Sequence, residues 1–202
     1  MDDWMRLGNE ARDRQDYETA IEYYKKAADA GITNAWYELR EIYHGYGKKF
    51  KKVRDFAKAK EAEQKWYECL LADGDESVHL MLGGIYESNG DYLKAVGHYE
   101  NAVKNANDNE EQNSAEESLG DIYYEGKGVA QDYSKALQWY EKAACHGNNK
   151  AMFRLGIMYH DGKGTEPNLE KALEWCQKAS ATGMKEVADL LLNKWLSKES
   201  VN

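Results

Sequence analysis

The side chains in this sequence best suited to chemistry are five histidines, His44, His79, His98, His146 and His160, and three cysteines, Cys69, Cys145 and Cys176. Glu41-x-x-His44 has the spacing with which one helix supplies half of a di-iron centre. That centre also needs a matching pair and further carboxylates on facing helices; Glu76-x-x-His79 repeats the spacing, but spacing alone does not make such a site. Cys145 and His146 are adjacent, and neighbours at a helix end rarely converge on one metal. Gly126-Lys127-Gly128 and Gly162-Lys163-Gly164 hint at phosphate, but a phosphate loop needs Gly, four residues, then Gly-Lys-Ser/Thr after a strand, and no strand is signalled. Ser-x-x-Lys, the acylation pair of penicillin-recognising enzymes, and His-Glu-x-x-His are both absent. The residues therefore read as a non-enzyme with no cofactor and no metal site.

The elements that must carry these residues are set by two recurring phrases. One is Asp/Asn, then an aromatic or Leu, two spacers and Ala: Asp16 to Ala20, Asp55 to Ala59, Asp91 to Ala95, Asp132 to Ala136 and Asn168 to Ala172. The other precedes it and centres on Leu, usually Leu-Gly: Leu7-Gly8, Leu39-Arg40, Leu82-Gly83, Leu119-Gly120, Leu155-Gly156, and a final Leu191-Leu192. Successive leucines lie 32, 43, 37, 36 and 36 residues apart, the period of a helical solenoid. In the copy from Ala115 to Gly147, Ala115, Leu119, Gly120 and Tyr123 form one helical stripe. Asp132 caps a second helix bearing Ala136, Trp139, Tyr140, Ala143 and Ala144, and Gly147 ends it.

Tyr23, His98, Trp139 and Trp175 share the slot three past the key Ala, and Ala27, Ala102, Ala143 and Ala179 the slot seven past it. This alternation of rings and alanines predicts that most rings are core. Cys176 stands where other copies carry Tyr24, Tyr99 and Tyr140, and is expected to be a buried, inert thiol. The Gly-Lys-Gly tripeptides read as flexible loops that widen the hairpin. The second copy gains residues in its turn, among them Lys48-Lys49-Phe50-Lys51-Lys52-Val53-Arg54, read as a solvated loop in preference to a phosphate patch. Asn105 to Ser114 reads as a polar linker where the array flexes, and the last helix as a cap.

A net charge of −9 disfavours nucleic acid and anionic lipid and favours a basic protein partner. No apolar stretch is long enough to cross a bilayer, and the start lacks a signal-like pattern. Three cysteines without a recurring pair indicate reduced thiols. The expected location is cytoplasmic, unless a signal peptide has been removed.

Trp4-x-x-Leu7-Gly8 and Trp36-x-x-Leu39, with Tyr86 and Tyr123 four past their leucines, resemble the tetratricopeptide repeat (TPR). The longer copies, reading Ala-x-x-x-Leu-Gly-x-x-Tyr-x-x-Gly-x-Gly, then Asp/Asn, Lys-Ala, Trp and Lys-Ala, resemble the Sel-one-like repeat (SLR). Thr165 and Asn168 replace the usual Val and Asp. The resemblance implies an all-α, right-handed α-solenoid, a superhelix of about five and a half helix-turn-helix repeats with a C-terminal capping helix. It is read as a single repeat domain, 1–202, with repeats near 3–31, 35–74, 78–106, 115–147 and 151–183 and a cap at 187–198. It further implies a groove lined by the first helices that holds peptides or proteins. Relatives with a cysteine pair in each repeat, some linked to beta-lactam binding, form a branch from which this chain departs.

On each first helix, the residues two before, two after, five after and six after the Leu form a free face. They give a candidate partner-binding set of Met5, Asn9, Arg12, Tyr37, Glu41, His44, Leu80, Glu87, Glu117, Asp121, Tyr124, Glu125, Phe153, Ile157, His160 and Asp161. With Asp13 and Asp189 these slots hold eight carboxylates against one arginine, so an acidic concave groove is expected. It would bind a basic-and-apolar segment of a partner, as a scaffold or adaptor. The alternatives are an inhibitor or immunity protein that neutralises one partner, and an enzyme with a grafted site such as a beta-lactam-binding hydrolase. Oligomeric state is left open.

Overall fold

The structure, a computed structural model, describes residues 3–45, 54–106, 108–181 and 183–199. Among these it has eleven α-helices and no strand. The chain divides into two compact units, Met1–Val78 and His79–Asn202. The first holds α1 (Trp4–Asp13), α2 (Tyr17–Asp29), α3 (Thr33–His44) and α4 (Phe56–Ala72), then a single 3-10 turn, Glu76–Val78. The second holds α5 (His79–Ser88), α6 (Tyr92–Asn105), α7 (Asn109–Glu125), α8 (Tyr133–Cys145), α9 (Asn149–Asp161), α10 (Leu169–Ala181) and α11 (Lys185–Glu199). Within each unit, consecutive helices pack as antiparallel hairpins laid side by side.

The Asp/Asn of the recurring phrase is a helix N-cap. Asp16, Asp55, Asp91, Asp132 and Asn168 each accept, through the side chain, the amide of the residue three further on. This satisfies one of the amides a helix start leaves free. The same residue's own amide donates to the carbonyl four past the Leu. Asp16 bonds Ala11 at 2.9 Å, Asp132 bonds Tyr123 at 3.0 Å and Asn168 bonds Tyr159 at 2.7 Å. Turn length therefore varies while hairpin closure does not.

The Leu-Gly phrase has an equally local cause. A Cβ on Gly8, Gly83 or Gly120 would sit 2.6 Å from the ring of Tyr24, Tyr99 or Tyr140, each almost wholly buried. In the last full hairpin Gly156 faces Cys176, which is buried and unpaired as expected. Where Arg40 replaces the glycine, the facing residue is Glu63, and Arg40 Nε donates to it at 3.1 Å. The fully buried ring slot is thus four past the key Ala.

The slot three past it is different. Tyr23, His98, Trp139 and Trp175 are only half-buried, which corrects the expectation that they are core. Lysines cover three of them: Lys26 lies 5.4 Å over Tyr23, Lys142 3.8 Å over Trp139 and Lys178 4.3 Å over Trp175. A second set, Lys58, Lys94, Lys135 and Lys171, lies over Tyr43, Tyr86, Tyr123 and Tyr159 of the paired helix. Each Lys-Ala phrase therefore places an alanine in the core and a cation on a ring face.

Two further expectations change. Residues 109–114 of the supposed linker are the first turns of α7, because Asp108 caps them by accepting the Glu111 amide at 2.8 Å and Glu110 and Glu111 favour a helix start. The Gly-Lys-Gly turns are tight seams. Gly128 and Gly164 adopt left-handed φ of 65° and 76°, and a Cβ there would strike Tyr92 and the Tyr133 backbone of the preceding hairpin. Residues 46–53 of the basic loop lie outside the described residues. The final helix α11 covers α10 through buried Ala188 and Trp195, while Leu190 and Leu196 stay exposed.

Candidate functional site: the first-helix faces

In the second unit, α7 and α9 present the candidate residues side by side, and Asp121 is the centre of the arrangement. It accepts the Tyr140 hydroxyl at 2.5 Å, and Arg154 Nε lies 3.8 Å from it. Burial, reinforced by this bond to Asp121, pushes the Tyr140 phenol well above its usual range. The Arg154 guanidinium also lies 5.7 Å over the ring of Tyr124, whose hydroxyl accepts Lys163 Nζ at 2.7 Å. That bond is the main reason the Lys163 pKa is raised. Half-buried Phe153 and Ile157 share α9 with Arg154.

Glu117 is bound on both oxygens. It accepts Asn148 Nδ2 at 2.7 Å and Lys150 Nζ at 3.2 Å, and Asn148 in turn caps α9 through the Ala151 amide. His160 stacks on Trp195 with ring centres 4.4 Å apart and contacts Asp161 through Nδ1 at 2.7 Å. Glu125 pairs with Lys127 at 2.6 Å. On α5, Leu80 is half-buried and Glu87 accepts the Tyr99 hydroxyl at 2.7 Å.

In the first unit, half-buried Met5 packs on the core and Asn9 accepts the Tyr24 hydroxyl at 2.8 Å. Burial pushes the Tyr24 phenol up to about 12. Arg12 pairs with Glu38 of the next first helix. Tyr37 packs on Trp66 with ring centres 5.0 Å apart, and Glu41 pairs with Arg40 at 2.7 Å. His44 meets the Phe56 ring edge-on at 6.3 Å. Glu41 and His44 therefore do not converge. Nor do Cys145 and His146, since Cys145 is exposed while His146 Nδ1 turns to buried Glu116 at 2.8 Å.

The sequence-based set thus lies on first-helix faces, but many of its carboxylates already hold this chain's own groups. Cations missed by the slot count come from two places. Arg154 sits one before its Leu, facing the preceding first helix, as Glu38 does toward Arg12. Lys127 and Lys163 come from the tight seams, and Lys150 from the first turn of α9. The recurrence of that position one before the Leu was the available signal.

The Sel1 repeat matches residues 6–32, 114–148 and 149–183, and a tetratricopeptide repeat matches 78–112. The chain is a Sel1-like repeat protein of the tetratricopeptide repeat superfamily, with the all-α solenoid fold class of that family. It is similar in structure to a protective antigen of uropathogenic Escherichia coli displaying an SLR fold, at 27% identity and a TM-score of 0.60 over 96% of this chain. It is similarly close to a Sel1 repeat protein from Oxalobacter formigenes, at 26% identity and a TM-score of 0.60 over 98% of this chain. The chain spans 41% of the length of the first and 76% of the second. No curated protein matches the sequence significantly. Repeats of this fold typically mediate protein–protein interaction and are generally non-catalytic. Among the described residues no helix is long and apolar enough to cross a membrane.

Proposed function

We propose that the chain is a non-catalytic protein-binding scaffold, and that its first-helix faces hold a basic-and-apolar segment of a partner protein. The observation that carries this reading is the α7 and α9 face, where half-buried Tyr124, Phe153 and Ile157 are interleaved with Glu117, Asp121, Glu125 and Asp161. Its ion pairs are replaceable: the Lys150 side chain is 73% exposed, and exposed pairs contribute about 0–1 kcal/mol. An incoming lysine or arginine can take Lys150's place, while a neighbouring apolar side chain covers Phe153 and Ile157. Three unpaired thiols fit a reducing compartment such as the cytoplasm.

The test is selection of peptides on the immobilised protein, followed by titration of the enriched sequences. Enrichment of basic peptides with an aromatic or aliphatic anchor, weakened by salt and by Glu125→Lys, Asp161→Lys together, is the expected outcome. Both substitutions lie at exposed positions. Peptides of no charge preference, bound equally by the double variant, would refute the reading.

A further inference from the structure

The second hairpin inverts the size pattern of its siblings. Three past the key Ala it carries Ala62, where the others carry Tyr23, His98, Trp139 and Trp175. Seven past it carries Trp66, where the others carry Ala27, Ala102, Ala143 and Ala179. The ring has in effect moved one turn along α4. There it packs on Tyr37 with the ring planes tilted by 58°, and among the described residues its buried Nε1 has no hydrogen-bond partner.

The vacated place is an open cleft of about 280 Å³ between α2, α3 and α4. Buried Leu39 and Ala62 form its floor, and the rings of Trp36 and Tyr43 its walls. In two siblings the residue three before the Leu meets the ring three past the Ala. Trp4 stacks on Tyr23 with centres 5.9 Å apart and planes 20° apart, and His79 lies 5.1 Å from His98. Trp36 occupies that first position and has only Ala62 opposite it. Lys25 and Asp29 stand on one rim, Lys58 and Glu61 on the other. Lys58 pairs with Asp55, and among the described residues Lys25, Asp29 and Glu61 form no ion pair.

We infer that this cleft is a second binding site, distinct from the first-helix faces, that accepts an aromatic side chain of a protein partner. The entering ring stacks on Trp36 in the place a ring occupies in the sibling hairpins. A lone ring buries enough surface for weak binding only, so the tight occupant is a ring that anchors a polypeptide. The mixed rim, two cations and two anions, meets charged neighbours of either sign along that segment. A strongly one-signed partner is disfavoured.

The test uses the full chain and NMR signals of the Ala62 methyl and the Trp36 indole. N-acetyl-tryptophanamide should shift both, N-acetyl-leucinamide should bind more weakly, and a peptide carrying the same ring between charged residues should bind more tightly. Ala62→Tyr restores the sibling pattern and should abolish the ligand-induced shift of the Trp36 indole while the protein keeps its helical circular dichroism. Trp36→Leu removes the stacking wall and should weaken binding about tenfold. It also serves if Ala62→Tyr fails to fold. No shift with the capped ring, an unchanged Trp36 indole shift in Ala62→Tyr, or binding of free tryptophan alone would each overturn the inference. None of these outcomes bears on peptide selection at the first-helix faces.

Discussion

The sharpest consequence of the packing is that one substitution should have opposite signs at two glycines of the second unit. Replacing a helical glycine by alanine gains about 0.5–1 kcal/mol from reduced unfolded-state freedom and better helix propensity. At Gly97, on α6, an added Cβ meets nothing within 4 Å, so that gain should appear undiminished. At Gly120 the Cβ would lie 2.6 Å from two ring carbons of Tyr140, well inside the roughly 3.5–4.0 Å of carbon–carbon contact. The ring cannot slide away freely, because Tyr140 is fully buried and its hydroxyl is held by Asp121 at 2.5 Å. Overpacking of this kind costs about 1–3 kcal/mol. Net of the backbone gain, Gly120→Ala should destabilise by about 0.5–2 kcal/mol, leaving the two variants about 1–3 kcal/mol apart. Urea midpoints followed by circular dichroism read this difference directly, with the slope checked for constancy because repeat arrays can lose two-state behaviour. A Gly120→Ala variant as stable as Gly97→Ala would show that the Leu-Gly phrase is not set by the ring beneath it.

Two other predictions rest on the same register. Glu63→Tyr alone should destabilise by driving a ring onto Arg40, and Arg40→Gly alone by unpairing Glu63. The double variant rebuilds the sibling Gly/Tyr pair, so the cycle should show coupling above about 1 kcal/mol; additive single effects would refute the equivalence. Thiol labelling of the native protein should modify exposed Cys145 first and Cys176 only on unfolding, since burial pushes the Cys176 thiol up to about 11. With its folded pKa raised from 9.0, Cys176 contributes its full stability below pH 9 and loses it as pH rises toward 11. Cys176→Ala should flatten that alkaline loss, and equal labelling of Cys145 and Cys176 would contradict the burial.

The hairpins were legible in sequence because their signals are local. An N-cap at Asp132 acts on an amide three residues away, and the Leu-to-Leu spacing counts turns directly. The half-burial of Trp139 beside fully buried Tyr140 was not legible, because adjacent helical positions differ by only about 100° and both rings read as core. The chain itself held the corrective signal. Gly8, Gly83 and Gly120 face Tyr24, Tyr99 and Tyr140, and where the glycine becomes Arg40 the tyrosine becomes Glu63. The supposed linker was misread for a related reason. Its Asn and acid content marks polarity, but an Asp followed three later by Glu also opens a helix, and α7 uses it so.

The candidate face was legible in position and only partly in charge, because a slot count along one helix omits what the neighbouring hairpin delivers. Glu117 orders the start of α9 through Asn148, and Asp121 holds the buried hydroxyl of Tyr140. Reversing either charge would therefore damage the fold before it reported on a partner, since removing one side of a buried hydrogen bond costs about 1–3 kcal/mol. Glu125 and Asp161 differ: both are exposed, Glu125 pairs with Lys127 of a seam loop, and Asp161 contacts its neighbour His160 and lies 3.9 Å from Lys163 of the next seam loop. On the proposed reading, recognition by charge falls to these exposed carboxylates, which cap no helix and hold no buried hydroxyl. On that same reading, the half-buried acids fix the shape against which Phe153 and Ile157 are presented, and the exposed acids select the cationic segment drawn to it.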